Sequence, residues 1–544
     1  MKIQRLFTLL LAAFVISVHA QTPGAKPKLV VGLVIDQMRN DYIYRYWNRY
    51  GEGGFKRLVN EGFFCKNTHY NYVPTYTGPG HSSIYTGTTP KTHGIIANDW
   101  YTREQGKEIY CVADSKAKTV GSISEAGKMS PHHQLSTTLG DELMLFSNGR
   151  SKVIGVALKD RSSILPVGHA KGSVAYWYDE TTGDFITSDW YMSALPGWVW
   201  KFNEKKSAKT YLDKGWNTLF PVETYTASIA DNNSYESAPN KKEIPVFPYE
   251  YKSYIDKGSY GILKATPWGN TITREFAMEA LKAEQMGKDE ITDLLCISFS
   301  SPDYVGHSFG IRSVEVEDIY LRLDKELEEL LKSLDEEVGK NNYSLFLTAD
   351  HGAADVAAYL MAQKVPAGYL KEVKLIKEIK SFCKAEFGDS LVQSVSNQQI
   401  FLNENKIASM KLDLHNVELK LAAALVKIQG IAEAYPSYVL KYGNKGQDSY
   451  LDLLANGYNF KRSGNVAFTY LPGWLDIQQT GTTHGAAYGY DTHVPLIFFG
   501  AGIKQGESAK NYYITEIAPT ISILLNNPFP NGCTSKPIDE VYKR

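Results

Sequence analysis

Six acidic and histidine side chains in four separate stretches of the sequence have the types that bind metal ions. They are Asp36, Asp303, His307, Asp350, His351 and His484. Carboxylate oxygens and imidazole nitrogens suit zinc, and two neighbouring metal ions can stabilise the attacking and leaving oxygens of an in-line displacement. Each stretch alone is a weak signal, because Asp-x-x-x-His and Asp-His-Gly also occur without a metal. Together the six side chains predict a site for two zinc ions.

A hydroxyl group that can act as a nucleophile lies in the stretch Tyr72–Gly87. Pro74 disfavours a helix before it, whereas Pro79 suits the first turn of a helix that follows. Thr77 is therefore expected just ahead of a helix N-terminus, where free backbone N–H groups favour an anion. A hydroxyl held there can attack phosphorus if its pKa is lowered. The alternative is that Thr77 is only a helix N-cap.

Continuous apolar runs come before most of these residues and predict the strands that carry them. The runs are 28–35, 152–158, 292–299 and 343–349. Runs without polar alternation indicate strands buried on both faces, as in a parallel sheet covered by helices. Open sheets of this kind place their ligands at the carboxyl ends of the strands. The predicted fold class is therefore α/β, with a doubly wound, mostly parallel sheet flanked by helices.

Most of the rest of the chain is predicted to form insertions outside the sheet. Residues from about 165 to 285 and from about 355 to 475 lack the strand and ligand pattern, and we interpret them as two insertions in one catalytic domain, 21–544. Ser313 is expected to cap a long amphipathic helix. Asn416 is expected to cap a helix that runs from 417 to 428.

The N-terminus has the three parts of a secretory signal peptide. Lys2 and Arg5 precede an apolar run, and small residues end at Ala20. The run is too short to span a membrane, and no later stretch is long and apolar enough to do so. We therefore expect cleavage after about Ala20 and export to the periplasm.

Net charge and cysteine content limit the classes of protein and of partner that the sequence supports. The chain has 58 Lys and Arg against 59 Asp and Glu, so net charge gives no argument for binding nucleic acid or an anionic membrane. The 5 cysteines are unclustered, which excludes a disulfide scaffold. We expect a monomer whose partners are small molecules.

The order of these features along the chain resembles the alkaline phosphatase superfamily. The resemblance covers roughly 28–162, 287–355 and 480–526. Within the superfamily, Thr77 in Thr-Gly-Pro-Gly-His, Asn98 and the pair Lys159 and Arg161 resemble the PafA-type alkaline phosphatases. These are zinc phosphomonoesterases exported by Bacteroidetes, with a doubly wound core and a bimetallic site.

The resemblance implies a role for each candidate residue. One zinc ion would be held by Asp303, His307 and His484, and the other by Asp36, Asp350, His351 and the Thr77 oxygen. Asn98, Lys159 and Arg161 would contact the non-bridging phosphoryl oxygens. Thr77 would then attack a phosphate monoester, form a phosphothreonine and release phosphate after attack by water.

Other functions remain open at this point. A phosphodiesterase of the nucleotide pyrophosphatase type shares the Thr and Asn, but it more typically has apolar surface where Lys159 and Arg161 fall. A sulfatase needs a Cys or Ser that matures to formylglycine, which Thr77 cannot supply. A catalytically inactive zinc-binding surface protein would be expected to lack a ligand, and none is missing.

Overall fold

The computed structural model describes residues 26–237, 244–442, 449–477 and 479–542. The predicted signal peptide, residues 1–20, lies outside these ranges. None of the helices in the described ranges combines the length and apolar character needed to cross a membrane. The five cysteines are free thiols.

A single large sheet forms the centre of the molecule. In chain order the strands are β1 Leu29–Ile35, β2 Phe63–His69, β3 Asp99–Thr102, β4 Lys107–Tyr110, β5 Thr119–Val120, β6 Val153–Ala157, β7 Val174–Asp179, β8 Asp184–Ser188, β9 Asp293–Phe299, β10 Tyr343–Thr348, β11 Gly368–Tyr369, β12 Val392–Ser396, β13 Gln399–Leu402, β14 Ile431–Pro436, β15 Val466–Tyr470, β16 Trp474–Leu475, β17 His493–Val494, β18 Leu496–Gly500 and β19 Gly506–Tyr513. The central sheet has the order β17-β2-β18-β10-β1-β9-β6-β7-β8-β5, and β19 pairs with β2. Strands β10, β1, β9, β6 and β7 pair in parallel. The predicted α/β fold with a parallel core is confirmed, and antiparallel strands extend it on both sides.

The middle strands form because their apolar side chains are buried on both faces. Every residue of β1 is buried, and its Val31 lies between Leu345 of β10 and Leu295 of β9. Fully burying a Val or Leu side chain contributes about 1.5–3 kcal/mol, so a continuous apolar run is stable only between two other layers. Helices α6 (Asp160–Val167) and α10 (Trp268–Ala283) supply such cover against β6 and β9.

Helices connect and cover the strands. They are α1 Asp41–Arg45, α2 Phe55–Glu61, α3 Thr77–Thr86, α4 Pro90–His93, α5 Leu139–Phe146, α6 Asp160–Val167, α7 Gly197–Glu204, α8 Ser207–Leu212, α9 Lys252–Ile255, α10 Trp268–Ala283, α11 Ser301–Phe309, α12 Val314–Glu337, α13 Ala357–Ala362, α14 Glu372–Phe387, α15 Glu404–Ser409, α16 Leu414–Leu425, α17 Ser437–Tyr442, α18 Tyr450–Gly457, α19 Gly489–Thr492 and α20 Ile517–Leu524. The predicted cap of α12 is confirmed, because Val316 donates its N–H to Ser313 Oγ at 3.1 Å. The predicted cap of α16 is wrong. Asp413 caps it, accepting the N–H of Asn416, which lies within the first turn.

The two stretches predicted as insertions differ in how they join the core. Strand β7 lies in the first stretch and pairs in parallel with β6, so residues there extend the central sheet. The second stretch contains a separate sheet with the order β12-β13-β15-β14. It also has its own apolar core, in which Leu375, Leu421 and Phe468 are buried. The division into one domain with two insertions stays a prediction.

Candidate active site

The carboxyl ends of four adjacent strands bring charged side chains to one edge of the sheet. Asp36 directly follows β1, and Asp350 lies two residues beyond β10. Asp303 lies in the first turn of α11, which follows β9. Lys159 lies two residues beyond β6. Because these strands are neighbours in the order β10-β1-β9-β6, residues far apart in sequence meet at this edge.

One group of possible metal ligands consists of Asp36, Asp350 and His351. One ligand atom from each lies within 4.8 Å of the others. His351 Nε2 is 3.6 Å from Asp36 Oδ1 and 3.6 Å from Asp350 Oδ2. All three side chains are fully buried. This group contains the same three side chains that the sequence assigns to one zinc ion.

A second group consists of Asp303, His351 and His484, again with ligand atoms within 4.8 Å of one another. The rings of His351 and His484 stack with their centroids 3.5 Å apart. His307 belongs to the predicted set and lies beside this group, with Nε2 3.1 Å from Asp303 Oδ1. The structure thus makes His351 common to both groups, where the sequence assigns it to one.

The three histidines present the same nitrogen to this centre. Their Nδ1 atoms contact backbone carbonyl oxygens, at 2.9 Å for His351, 2.8 Å for His307 and 2.7 Å for His484. A carbonyl oxygen only accepts, so each Nδ1 carries a proton. In the neutral ring Nε2 then has a free lone pair on the side of the carboxylates. This is the tautomer that binds a metal through Nε2.

Buried polar atoms without partners support a metal at this position. Among the described residues, Asp36 Oδ1, Asp350 Oδ2 and His351 Nε2 are buried and accept or donate no hydrogen bond. Leaving such an atom unpaired costs about 1–3 kcal/mol. Burial and the nearby Asp350 carboxylate raise the pKa of Asp36, and burial lowers the pKa of His351 to about 4. These oxygen and nitrogen donors fit zinc.

Lys159 lies among the acidic side chains of the two candidate metal groups. Its Nζ is 2.6 Å from Asp36 Oδ2 and 2.6 Å from Asp303 Oδ2, so the ammonium group bridges one carboxylate of each group. The same nitrogen is 3.5 Å from Thr77 Oγ1. Lys159 is thus within reach of both the acidic centre and the candidate nucleophile.

Thr77 begins helix α3 and is almost completely buried. Its carbonyl oxygen lies 2.9 Å from His81 Nδ1, and the other ring nitrogen of His81 is 2.9 Å from Ser298 Oγ. The helix approaches the acidic centre closely because residue 80 is glycine. A Cβ on Gly80 would lie 2.5 Å from the backbone oxygen of Asp350. Through its contacts with the Thr77 carbonyl and Ser298, His81 orients the start of α3.

Asn98 and Arg161 flank the Thr77 helix. Gly78 donates its N–H to Asn98 Oδ1 at 2.8 Å, which leaves the amide NH₂ of Asn98 as a hydrogen-bond donor. Arg161 donates through NH1 to the hydroxyl of Tyr110 at 3.0 Å. Its Nε is buried and has no partner among the described residues. Lys159 and Arg161 line the same cleft of about 430 Å³.

The sequence patterns did not identify Gln37 as a residue of the site. Its backbone N–H donates to Asp350 Oδ1 at 3.1 Å, and its Nε2 donates to Asp303 Oδ1 at 2.6 Å. Gln37 has a φ of 64°, a left-handed conformation that is uncommon outside glycine. Gly306 makes room for it, because a Cβ there would lie 1.9 Å from Gln37 Oε1. The signals available were its position directly after a strand-end Asp and the Gly within Asp303-x-x-Gly-His307.

Comparison with known proteins assigns the chain to a family. The family model described as type I phosphodiesterase / nucleotide pyrophosphatase matches residues 30–491. Alkaline phosphatase PafA of Elizabethkingia meningoseptica is 45% identical over 528 residues, which cover 95% of each chain. Alkaline phosphatase PhoV of Synechococcus elongatus is 45% identical, covering 97% of this chain and 95% of that one.

A protein of Myroides odoratus named calcium-transporting ATPase is 43% identical, covering 98% of this chain and 97% of that one. The crystal structure of wild-type PafA superposes with a TM-score of 0.91 at 44% identity, covering 95% of this chain and 99% of that chain. The family model, the named phosphatases and the shared fold agree with the site. The chain belongs to the type I phosphodiesterase / nucleotide pyrophosphatase family, and within it is an alkaline phosphatase of the PafA type.

Proposed function

We propose that this enzyme hydrolyses phosphate monoesters through a phosphothreonine intermediate on Thr77, with two zinc ions bound. The relatives named alkaline phosphatases support the reaction class. The observation that carries the proposal is the position of Thr77 at the start of α3. Its Oγ1 is 3.5 Å from Lys159 Nζ, and that ammonium group contacts one carboxylate of each candidate metal group.

The proposed zinc ligands are the six side chains that meet at the sheet edge. Asp36, Asp350, His351 and the Thr77 oxygen would hold one ion, and Asp303, His307 and His484 would hold the other, as the resemblance implies. When bound, the ions supply positive charge that stabilises the developing negative charge on the attacking and leaving oxygens. Gln37 orients Asp350 and Asp303 by donating a hydrogen bond to each of them.

The nucleophile and its surroundings belong to the chain itself. Thr77 Oγ loses its proton as it bonds to phosphorus, the bond from phosphorus to the ester oxygen breaks, and the departing alkoxide gains a proton and leaves as the alcohol. Water then attacks the phosphothreonine, which releases phosphate and restores the threonine hydroxyl. The positive end of the α3 helix dipole, at Thr77, favours the negative charge of the phosphoryl group.

Asn98, Lys159 and Arg161 are proposed to hold the non-bridging phosphoryl oxygens. The amide of Asn98 is oriented by Gly78, and the Lys159 ammonium is close enough to Thr77 to contact a phosphoryl group attached to it. Arg161 offers a planar guanidinium that can bind two oxygens. A monoester has three non-bridging oxygens and two negative charges, whereas a diester has two such oxygens and one charge. Two cations therefore favour the monoester.

The experiment that tests this function uses purified full-length protein. Its metal content is measured together with kcat/KM for a phosphate monoester and a diester that share one leaving group. The proposal predicts about two zinc ions per chain and a higher kcat/KM for the monoester. Preference for the diester would favour the nucleotide pyrophosphatase alternative instead.

Export to the periplasm is a further part of the proposal. It is supported by the signal-peptide pattern of residues 1–20, which lie outside the described structure. The expectation that the chain is a monomer stays a prediction.

A further inference from the structure

A second cleft opens beside the catalytic residues, on the side of His484. It has a volume of about 370 Å³ and is lined by Tyr76, which directly precedes Thr77, and by His484. The two rings pack edge to face, with their centroids 5.4 Å apart. Residues 396–398, in the second predicted insertion, and residues 474–477, at its end, also line the cleft. The Thr77 oxygen is assigned to the other metal group, so we place the leaving oxygen of a bound ester on the side of His484 and its alcohol part in this cleft.

The lining of this cleft is acidic. Asp99, Glu108, Glu372 and Asp476 contribute carboxylates to it, and no Lys or Arg of the described chain lines it. The carboxylates influence one another. Burial and the nearby Glu372 raise the pKa of Asp476 to about 6, and burial followed by Glu108 raises the pKa of Glu372. We call this lined space the acidic cleft.

The acidic cleft differs from the cleft on the other side of the site. That cleft, of about 430 Å³, is lined by Lys159, Arg161 and Lys264 together with Asp160, Asp179 and Glu180, so its cations are balanced by carboxylates. The acidic cleft, in contrast, has carboxylates and no Lys or Arg in its described lining. With Lys159 and Arg161 proposed to hold the phosphoryl oxygens, this lining matches a substrate that carries an anion at one end and a cation at the other.

Aromatic side chains add a second feature that favours a cation. Tyr76, Tyr470 and Trp474 line the acidic cleft together with the carboxylates. Asp476 lies close to Tyr76 and Tyr470. Burial raises the pKa of both tyrosines, and the negative charge of Asp476 raises it further. An aromatic face attracts an ammonium group through its quadrupole, by about 0.5–1 kcal/mol at exposed sites and 2 or more when water is excluded.

We propose that the acidic cleft binds a positively charged leaving group, so that this enzyme prefers phosphate monoesters of amino alcohols to neutral monoesters of the same shape. The inference rests on the proposed monoester hydrolysis and adds the substrate class. The carboxylates and aromatic faces together are expected to raise kcat/KM about tenfold for the cationic ester.

The test compares choline phosphate with 3,3-dimethylbutyl phosphate, in which a carbon replaces the charged nitrogen without changing the shape. The ratio of the two kcat/KM values is measured for wild type and for the double variant Glu372→Gln and Asp476→Asn. Neither residue belongs to the buried core, so the substitutions are not expected to disturb it. A matched control, Glu378→Gln with Asp389→Asn, removes two carboxylates of the same insertion that do not line the acidic cleft.

The intrinsic reactivity of each ester is the same whichever variant is used. A change in the ratio of the two kcat/KM values between variants therefore reports binding in the acidic cleft. The proposal predicts that the double variant lowers the ratio about tenfold and that the control keeps the wild-type ratio. An equal ratio in wild type and double variant would overturn the inference. A second test measures the binding of free choline and of 3,3-dimethylbutanol by calorimetry. The proposal predicts that choline binds more tightly. If neither ester were hydrolysed, the proposed function would fail, and a wild type that bound no choline would overturn the inference separately.

Discussion

The ammonium nitrogen of Lys159 lies 2.6 Å from a carboxylate oxygen of Asp36, although 123 positions separate the two residues. Lys159 follows β6 and Asp36 follows β1, and only β9 lies between those strands. Both side chains are almost completely buried. Removing one partner of a buried ion pair typically costs about 3–5 kcal/mol, because the other charge is left uncompensated. The site therefore concentrates buried negative charge that cations must balance.

Lys159→Ala combined with Arg161→Ala should slow monoester hydrolysis by about 10²- to 10⁴-fold. A hydrogen bond to a charged group contributes about 1.5–3 kcal/mol, and two such bonds are lost. Diester hydrolysis should fall far less, since its extra substituent takes the place of the third oxygen. The measurement is kcat/KM for both ester types with one leaving group.

Lys171→Ala is the matched control for this pair, because Lys171 is exposed and lies shortly after the same helix α6. It should leave both rates unchanged. Equal losses for the monoester and the diester in the double variant would contradict the role given to Lys159 and Arg161.

Removing the metal ions should destabilise the enzyme as well as inactivate it. A bound ligand stabilises the folded state by about 2.7 kcal/mol when its free concentration is about 100 times Kd. Chelation should therefore lower Tm, and added zinc should restore it. In His484→Ala, elemental analysis should find about one zinc ion fewer per chain, whereas exposed His415→Ala should keep the full content. Only trace zinc in the wild type, with activity indifferent to chelators, would refute the assignment.

Gly80→Ala should destabilise the protein although alanine favours helices by about 1 kcal/mol over glycine. The new Cβ would lie 2.5 Å from the backbone oxygen of Asp350, so α3 must move away from the acidic centre. Overpacking of this kind costs about 1–3 kcal/mol, visible as a lower Tm. Gly489→Ala is the control, since nothing lies within 4 Å of the position of its Cβ. An unchanged Tm and zinc content in Gly80→Ala would show that the close approach is not needed.

The positions of the strand-end aspartates could be predicted because their signals are local. Strands β1 and β10 are buried along their whole length, so their sequences are continuous apolar runs that end next to Asp36 and Asp350. The cap of α12 is local as well, since Ser313 and the N–H that it accepts are three residues apart.

The remaining features depend on contacts between distant parts of the chain. Strand β2 pairs with β18 and β19, which come from the other end of the sequence, so its place in the sheet has no local signal. The sharing of His351 between two groups depends on the stacking of His484, whose Nδ1 contacts the carbonyl of Thr75. The left-handed conformation of Gln37 likewise depends on packing against Gly306.

The export hypothesis predicts a mature chain that begins near Gln21. Signal peptidase cuts after small residues, and Ala20 ends the small-residue segment. The intact mass of protein from a periplasmic fraction should lack residues 1–20. A protein recovered only from the cytoplasm, still carrying Met1, would reject the hypothesis.

The central claim is that Thr77 carries the phosphoryl group during turnover. Acid quenching of a reaction with a monoester, followed by proteolysis and mass spectrometry, measures phosphate on the peptide that contains Thr77. The account predicts phosphothreonine at Thr77 in the wild type and none in Thr77→Ala, which should keep its zinc but lose activity. Steady-state rates in Thr77→Ala equal to those of the wild type, with no phosphate on the wild-type peptide, would contradict it.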